Sequence, residues 1–588
     1  MRLQSLALAS LLCVLFWIPS AAVAEPVAAV PDWEQLATAW DQLGADPERP
    51  PRQGAVAAAH PLAARAGAAM LAGGGSAFDA AVATALVLGV VNPQSSGLGG
   101  GGFAVFQQED GRRSSLDFRE QAPSFFSPTT FEAADRDSTR GPWAVGVPGE
   151  PAGLAALHRV GGRLPWSVLV EPARQLAHEG FSVGRDLAEA LQRNEEAVLA
   201  DPGLSADLAP AGRVLQEGDL CRRPALAETL SYLQAHGGDA FYRGPLAITF
   251  SGFLAQQGLP WTPAELEGYA VKERPVLEGS YRGYGIQTMG PPSSGGIAIL
   301  QILGMLEHAK QHQAEASGLR ATRALVDAMR HAFADRATYG GDPDFVEIPL
   351  QALLDPALPA RLWKLRPKRG PLPLLAAGLA GERGDSGGLL PDDGGTSHLS
   401  VLDEDGNAVA LTTTINLHFG AKIADPGTGM VLNDEMDDFS ARPGRPNAFG
   451  LTQGTNNAVA PGKRPLSSMS PTLVTDGEGR VVLAVGGAGG PRIITGTLQT
   501  LLGVLDRDRS PSEAVAAPRV HHQWLPQRIL VEKALPAETR KQLRRSGYEV
   551  VEGGHRGVIH LVTFDPETGT WGAAADPRAN GGVEVRGP

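Results

Sequence analysis

The sequence predicts a layered α/β protein whose sheets are antiparallel. Strand-like and helix-like segments are mixed along the chain, without the strict alternation that a parallel βαβ sheet requires. A polar turn at residues 403–406 separates two hydrophobic segments and predicts a hairpin. The chain has 588 residues, of which 43% are hydrophobic, and this is enough for one large α/β body or for two domains.

The first part of the chain begins with an expected loose arm at residues 25–54, which are rich in proline and charge. Residues 58–107 predict two helices separated by a glycine break, then a glycine-rich turn and a strand. Ser76 followed by Asp79 predicts a capping box at the start of the second helix. The segment "SSLDFREQ" predicts the next strand.

Helices are predicted to dominate the middle of the chain, and strands the last part. Residues 366–395 are rich in glycine and proline and are expected to be mobile. From Thr396 onward strands are the main elements. The elements predicted after the arm and first strands are helices within 150–270 and 296–340, the hairpin, a strand at 480–486, a helix from about 493 to 506, and strands near 529, 549 and 558–564.

The charge balance and the N-terminus indicate an exported protein without a nucleic-acid partner. Lys and Arg total 51 against 64 Asp and Glu, so the composition does not suggest a nucleic-acid partner, which would need a basic face. Residues 1–24 predict a secretory signal, with Arg2, an apolar run and a small-residue cleavage site before Glu25. The alternative is an uncleaved anchor. After cleavage Cys221 is the only cysteine, and we expect a periplasmic or secreted protein that is free of the membrane.

Two short motifs suggest functions that their context disfavours. The pattern Gly97-x-Gly99-x-x-Gly102 spells a dinucleotide fingerprint, but it follows a predicted helix and opens a strand, which is the reverse of what that fold needs. "GDSGG" at residues 384–388, with His60 upstream, keeps a serine protease as a rival. The serine has no strand before it and no helix after it, so a linker is favoured.

Metal binding is also disfavoured, and no cofactor is expected. His521 and His522 are neighbours on a predicted strand, so their side chains point apart. No HExxH or cysteine cluster accompanies them, and a hydrogen-bonding pair is the preferred interpretation.

Thr396 stands where a glycine-rich segment meets a predicted strand, directly after Gly394 and Gly395. A threonine hydroxyl needs a base to act as a nucleophile at neutral pH. A cut before Thr396 would create an α-amine on the same residue, with a reference pKa of roughly 7.7–8.0. From the residues alone, an ordinary threonine at a loop-to-strand junction remains the alternative.

Long motifs along nearly the whole mature chain resemble the γ-glutamyltransferase (γ-glutamyltranspeptidase) family of N-terminal nucleophile hydrolases. The motifs are "GLGGGGF", "LDFREQAP", "GVPGEPAGL", "PPSSGGI", "TSHLSVLDEDGNAVALTTTINLHFG", "LNDEMDDFS", "KRPLSSMSPT", "GGAGGPRIIT" and "HHQWLP". The resemblance implies a four-layer αββα sandwich built from a precursor that cuts itself before Thr396. A large subunit (25–395) and a small catalytic subunit (396–588) would then form a heterodimer.

The resemblance also implies the reaction and its residues. Thr396 would take the γ-glutamyl group from glutathione or a related donor and pass it to water or to an amino acid or dipeptide amine. Thr414 would orient Thr396 by a hydrogen bond, and the N–H groups of Gly489 and Gly490 would form the oxyanion hole. The substrate-binding residues would be Arg119, Ser467 and Ser468 for the α-carboxylate, and Asn416, Glu435 and Asp438 for the α-ammonium.

Two positions depart from the family pattern. Phe449 stands in the expected lid where bacterial relatives often have tyrosine, so the hydroxyl that latches the lid is missing. We therefore expect an open site in which hydrolysis takes the larger share. Ala488 replaces a common proline and is expected to loosen the oxyanion loop slightly.

Two other functions stay open on the same fold. One is a glutaryl- or cephalosporin-type acylase, and Glu435 and Asp438 argue against it because they suit an ammonium group. The other is an unprocessed, inactive binding protein, and the presence of Thr396, Thr414 and the Gly489–Gly490 pair argues against it.

Overall fold

The computed structural model describes residues 38–44, 50–310, 318–366, 370, 394–442, 444–554 and 557–587. The predicted signal at 1–24 and the "GDSGG" segment lie outside the described residues, as does most of the glycine- and proline-rich segment 366–395. Within the described ranges, no helix combines the length and the apolar character needed to cross a membrane.

In the part of the chain that the structure describes, the strands form two large sheets and three small ones. In chain order they are β1 Gly54–Ala58, β2 Gly101–Gln107, β3 Arg113–Phe118, β4 Phe181–Ser182, β5 Leu220–Cys221, β6 Lys272–Arg274, β7 Leu277–Tyr281, β8 Tyr284–Thr288, β9 Gly395–Asp403, β10 Ala408–Asn416, β11 Ala424–Asp425, β12 Met430–Val431, β13 Thr472–Thr475, β14 Val481–Ala488, β15 Val520–His521, β16 Arg528–Val531, β17 Glu549–Glu552, β18 Val558–Asp565, β19 Thr570–Ala575 and β20 Gly582–Arg586.

The helices fall mainly between β3 and β9, as the sequence predicts. The α-helices are Pro61–Ala72, Ala77–Val91, Glu150–Gly161, Trp166–Glu179, Arg185–Arg193, Glu195–Ala200, Pro202–Leu208, Pro224–His236, Pro245–Gln256, Pro263–Glu267, Gly295–His308, Leu319–Tyr339, Leu350–Leu353, Leu358–Lys364, Arg492–Arg507, Pro511–Ala516 and Ala537–Arg545. Short 3-10 helices cover Thr130–Glu132, Pro142–Ala144, Gly238–Tyr242, Glu435–Asp438 and Thr455–Asn457.

The two large sheets are antiparallel throughout and face each other. The first has the order β20-β1-β9-β10-β2-β3-β6, and the second has the order β19-β18-β14-β13-β8-β7. Successive side chains of β2 point to opposite faces of the first sheet. Phe103 and Val105 join a core between the sheets, whereas Ala104 and Phe106 join the core under the outer helices.

Helices cover the outer face of each sheet and complete four layers. Helices Ala77–Val91 and Trp166–Glu179 share the first sheet's outer core. Helices Gly295–His308, Leu319–Tyr339 and Arg492–Arg507 share the core of the second sheet. The prediction of a layered αββα architecture with antiparallel sheets is confirmed.

The expected loose arm at 25–54 is wrong for the part that the structure describes. Trp40 is completely buried, and its Nε1 donates a hydrogen bond to Gln175 Oε1 at 2.8 Å. A buried Trp removes a large apolar area from water and its N–H has a partner here, so this side chain anchors the segment to the body of the protein. Strand β1, made of glycine, alanine and valine, lies inside the first sheet, and its small residues gave little strand signal.

Several local predictions are confirmed. Ser76 and Asp79 form the capping box of helix Ala77–Val91. Strands β9 and β10 form the hairpin around residues 403–406. The Gly97–Gly102 segment follows that helix and leads into β2, so it has the reverse context of a dinucleotide fingerprint. The closing strands β19 and β20 were not predicted.

Candidate active site

The hairpin of β9 and β10 places two threonine hydroxyls side by side. Thr396 and Thr414 are partners in the strand register, and their Oγ1 atoms lie 2.9 Å apart. Both side chains point toward the second sheet, because they share the strand face of Leu402 and Ala410, which join the core between the sheets. Both residues are buried.

Thr414 has a complete set of hydrogen bonds. Its hydroxyl donates to the carbonyl oxygen of Gly395 at 2.8 Å and accepts from the N–H of Asn416 at 2.9 Å. A hydroxyl has one donor and two acceptor positions, so the remaining position accepts from Thr396. Thr414 therefore contacts both the Thr396 hydroxyl and the carbonyl of the peptide bond that precedes it.

The glycine turn after β14 lies beside Thr396. Gly489 and Gly490 have φ angles of +123° and +58°, which favour glycine. A Cβ atom on Gly394 would lie 3.0 Å from the Cα of Gly489, so the chain before Thr396 runs against this turn. A cavity of about 130 Å³ is lined by Thr396, Gly394 and Gly489, among other residues.

Arg119 is the centre of a buried charged cluster. Its guanidinium contacts the carboxylate of Glu435 and lies 2.5 Å from Asp438 Oδ2. Glu120 is 3.7 Å away, and its carboxyl oxygens have no hydrogen-bond partner among the described residues. Burial raises the pKa of Glu120 to about 8, against the opposing effect of Arg119.

Asn416 connects the threonine pair to this charged cluster. Its Nδ2 donates to the carbonyl oxygen of Asp434 at 3.0 Å, directly before Glu435. With Nδ2 used in this way, Oδ1 is the atom that can accept a hydrogen bond from an ammonium group. The bulge in the register between Thr414 and Asn416 sets this orientation, and Asn416 has a φ of +76°.

The serine pair lies on a loop held against Arg119 and the helix Gly295–His308. Arg119 Nε donates to the carbonyl oxygen of Pro465 at 3.3 Å, two residues before Ser467. The Ser467 carbonyl accepts from the N–H and the hydroxyl of Ser294 at 2.9 and 2.7 Å. Ser468 Oγ lies 3.4 Å from Nη2 of Arg336. Both serines are buried.

The segment around Phe449, which the sequence predicts to be a lid, is packed in place, whereas the missing hydroxyl predicts an open arrangement. Phe449 is only 4% exposed, and its ring packs against Gly490, where an added Cβ would lie 2.6 Å from Cδ1. The segment is fixed by Asn447 Nδ2, which donates to Asp438 Oδ1 at 3.2 Å, and by the Ala448 N–H, which donates to Asp437 Oδ2 at 2.8 Å. These bonds hold the segment in place without a phenol.

The histidine pair is buried and hydrogen-bonded, as predicted. His521 lies 2.8 Å from the Thr495 hydroxyl and 2.9 Å from Gln523 Oε1. His522 Nδ1 accepts from the N–H of Trp524 at 3.0 Å. In the ranges that the structure describes, no group of three or more His, Cys, Asp or Glu residues is arranged to hold a metal ion.

Sequence reasoning missed three residues that surround these groups. Glu120 adjoins Arg119, Asn447 fixes the lid segment, and Arg336 reaches the serine pair from helix Leu319–Tyr339. Arg336 lies on a helix with several charged residues, and nothing in the sequence shows that its side chain turns inward. The adjacency of Glu120 to Arg119 was the one visible signal.

The sequence profile of the Gamma-glutamyltranspeptidase family matches residues 63–585. The chain belongs to this family. It is 38% identical over 541 residues to the glutathione hydrolase proenzyme of Escherichia coli (strain K12), with 90% of this chain and 91% of that protein covered. It is also 38% identical to the glutathione hydrolase proenzyme of Pseudomonas sp. (strain A14), covering 90% and 94%. The family is one of enzymes.

Solved structures confirm the fold of this γ-glutamyltranspeptidase family member. A cephalosporin acylase from Bacillus halodurans superposes with a TM-score of 0.80 at 26% identity, covering 91% of this chain and 96% of that one. A chain of Helicobacter pylori gamma-glutamyltranspeptidase gives a TM-score of 0.52 at 35% identity, covering 56% and 96%. The acylase is a neighbour in fold, whereas the glutathione hydrolases are the relatives with higher sequence identity.

Proposed function

We propose that the chain is a self-processing γ-glutamyltransferase and glutathione hydrolase with Thr396 as its nucleophile. The observation that supports this most is the position of Thr414. Its hydroxyl lies 2.9 Å from the Thr396 hydroxyl and donates to the Gly395 carbonyl at 2.8 Å. The same side chain can therefore orient the attacking oxygen and polarise the carbonyl that it attacks.

Processing starts with attack of Thr396 Oγ1 on the carbonyl carbon of Gly395. The C–N bond between the two residues breaks, the nitrogen takes up the proton, and an ester joins Gly395 to Thr396 Oγ1. Water then cleaves the ester, leaving a carboxylate on Gly395 and a hydroxyl with a free α-amine on Thr396. The amine, with a reference pKa of roughly 7.7–8.0, is the base that the mature enzyme needs.

The mature enzyme repeats the attack on its substrate. The α-amine accepts the hydroxyl proton while Thr396 Oγ1 attacks the γ-glutamyl carbonyl. The N–H groups of Gly489 and Gly490 donate hydrogen bonds to the oxyanion that forms. The leaving amine departs with the proton, which leaves an acyl-enzyme. Water gives glutamate, whereas an amino acid or a dipeptide amine gives a new γ-glutamyl compound. Phe449, packed on Gly490, is proposed to act as the lid over this step.

The charged cluster can bind the amino-acid end of the substrate by exchanging ion pairs. Arg119 contacts Glu435 and Asp438 within the chain. An incoming α-carboxylate can form a bidentate salt bridge with the guanidinium, and the hydroxyls of Ser467 and Ser468 can donate further hydrogen bonds to it. The α-ammonium can then donate hydrogen bonds to the carboxylates of Glu435 and Asp438, which Arg119 has released, and to Oδ1 of Asn416. Every charge then keeps a partner.

The strand order supports a stable heterodimer of residues 25–395 and 396–588. In the first sheet β9 and β10 lie between β1 and β2, so both edges of the catalytic hairpin pair with strands of the large subunit. In the second sheet β13 pairs with β8 of the large subunit. Cutting before Thr396 leaves all of these ladders intact. We further propose removal of residues 1–24 and a periplasmic or secreted location.

The function is tested with the purified protein and γ-glutamyl-p-nitroanilide. We expect release of p-nitroaniline, hydrolysis of glutathione to glutamate and cysteinylglycine, and formation of the tripeptide γ-glutamyl-glycylglycine when glycylglycine is added. An enzyme that is fully processed at Thr396 and yet leaves both donors untouched would contradict the proposed activity. Release from a glutaryl donor alone would favour the acylase function instead.

Gly490→Ala is expected to lower kcat by ~10²–10³, because it displaces one oxyanion N–H donor. The new Cβ would lie 2.6 Å from the Phe449 ring, and the residue has a φ of +58°. Gly479→Ala is the matched control, since Gly479 has a φ of +83° and open space around it. Its kcat should stay within about threefold of the unmodified enzyme, and a similarly small change for Gly490→Ala would contradict the oxyanion assignment.

A further inference from the structure

Arg336 is a buried guanidinium with neutral partners. It lies on helix Leu319–Tyr339 and is 6% exposed. Nε donates to Ser294 Oγ at 2.9 Å, Nη1 to Gln453 Oε1 at 3.1 Å, and Nη2 to Ser468 Oγ at 3.4 Å. Among the described residues, no carboxylate comes within 4.0 Å of this guanidinium, which separates it from an ordinary structural arginine.

Arg119, the other buried cation of the site, has the opposite surroundings. Three carboxyl groups, those of Glu120, Glu435 and Asp438, lie within 4.0 Å of it. Burying a cation without a counter-ion is costly. Burial lowers the pKa of Arg336 to about 10, with Asp438 opposing this change and Arg119 adding to it, so the group stays charged at neutral pH. The site therefore contains a positive charge that lacks an adjacent carboxylate.

The hydrogen bonds of Arg336 determine how its neighbours are oriented. Ser468 Oγ accepts from Arg336, which leaves its own hydrogen free to donate elsewhere. Ser294 Oγ accepts from Arg336 and donates to the carbonyl oxygen of Ser467, so the serine pair is held by the same guanidinium. Gln453, the third partner, donates through Nε2 to the Asp438 carbonyl at 3.0 Å.

We propose that Arg336 is a positioning residue for the substrate α-carboxylate, acting through Ser468 and adding the second positive charge that this carboxylate meets. The inference rests on the proposed function. Arg119 must break its ion pairs with Glu435 and Asp438 before it can bind the substrate, whereas Arg336 has no ion pair to break among the described residues. An anion in the site is therefore attracted by a charge that is already in place, and the Ser468 hydroxyl is already oriented as a donor.

The experiment compares γ-glutamyl-p-nitroanilide with its α-carboxamide analogue, in which an uncharged amide replaces the α-carboxylate and nothing else changes. Arg336→Gln should raise KM for the acid substrate by ~10–100-fold, the loss expected for a hydrogen bond to a charged group, with kcat changed by less than about threefold. For the carboxamide analogue kcat/KM should change by less than about threefold. Equal losses for both substrates would show a merely structural role and would overturn the proposal.

Two further variants separate charge from packing. Arg336→Lys keeps the charge but loses the planar fork, so we expect a KM rise of about 3–10-fold that is again confined to the acid substrate. If Arg336→Gln does not fold, this variant alone decides the question by the same comparison. Arg330→Gln is the matched control, because Arg330 is buried on the same helix and donates to Gln527 instead. Arg330→Gln should leave the ratio of kcat/KM for the acid substrate to kcat/KM for the carboxamide analogue unchanged.

The activity of the unmodified enzyme tests the proposed function, and the substrate preference of Arg336→Gln tests the role of Arg336. An unmodified enzyme that releases p-nitroaniline from the γ-glutamyl substrate supports the function whatever Arg336 does. If Arg336→Gln then keeps the full preference for the acid over the carboxamide, only the role of Arg336 is overturned. An unmodified enzyme without activity on either substrate overturns both.

Discussion

Thr396→Ala is expected to give a single uncut chain that has lost γ-glutamyl transfer. The variant lacks the oxygen that attacks the Gly395 carbonyl, so neither the cut nor the α-amine base can form. Removing a nucleophile of this kind costs ~10⁶ in kcat. A denaturing gel should show one band near the intact mass, whereas the unmodified enzyme should give pieces of ~39 and ~20 kDa, scaled by residue count from 61.4 kDa.

Thr396→Ser is the matched control for this result, because it keeps the hydroxyl and removes only a methyl group. It should still be cut and should keep measurable transfer activity. Two pieces of the stated sizes from the alanine variant would mean that another group attacks the Gly395 carbonyl. Such a result would leave the contact between Thr396 and Thr414 without the role proposed for it.

The enzyme is expected to prefer γ-glutamyl-p-nitroanilide over glutaryl-p-nitroanilide by as much as ~10⁴–10⁵ in kcat/KM. The two acyl groups differ only in the α-ammonium. A glutaryl carboxylate would draw Arg119 away from Glu435 and Asp438, both of which are buried, and would offer them no cation in return. Buried carboxylates without partners make this exchange unfavourable.

Asp438→Asn should reduce this preference, mainly by slowing the glutamyl substrate. The glutaryl rate should stay the same or rise slightly. Asp425→Asn is the matched control, since Asp425 is also buried but bonds within its own turn to Gly427 and Thr428. It should leave the preference intact. Comparable kcat/KM for the two substrates in the unmodified enzyme would contradict the assignment of Glu435 and Asp438 and would favour the acylase function.

The sequence predicts well those parts of the fold that depend on local patterns. The capping box of Ser76 and Asp79 and the hairpin after Thr396 each follow from a few neighbouring residues. Strand β1 and the burial of Trp40 could not be predicted in this way. Five small residues carry little strand preference, and their place between β20 and β9 is set by partners hundreds of residues away.

The same distinction holds at the candidate site. The resemblance names single residues, and the structure shows which of them touch, such as Thr396 with Thr414 and Arg119 with Asp438. The fixed position of the segment around Phe449 could not be predicted from Phe449 itself, because its bonds run through Asn447 and Ala448 to acidic residues. Arg336 was missed because only tertiary packing shows that its side chain turns inward.

The most direct test of the central claim is the mass of the pieces in the purified, unmodified protein. Mass spectrometry should find a small subunit whose first residue is Thr396 with a free α-amine, and a large subunit that ends in the Gly395 carboxylate. This result would show that the threonine beside Thr414 has become the N-terminal residue on which the mechanism depends. An intact chain, or a small piece that starts at any other residue, would contradict the account.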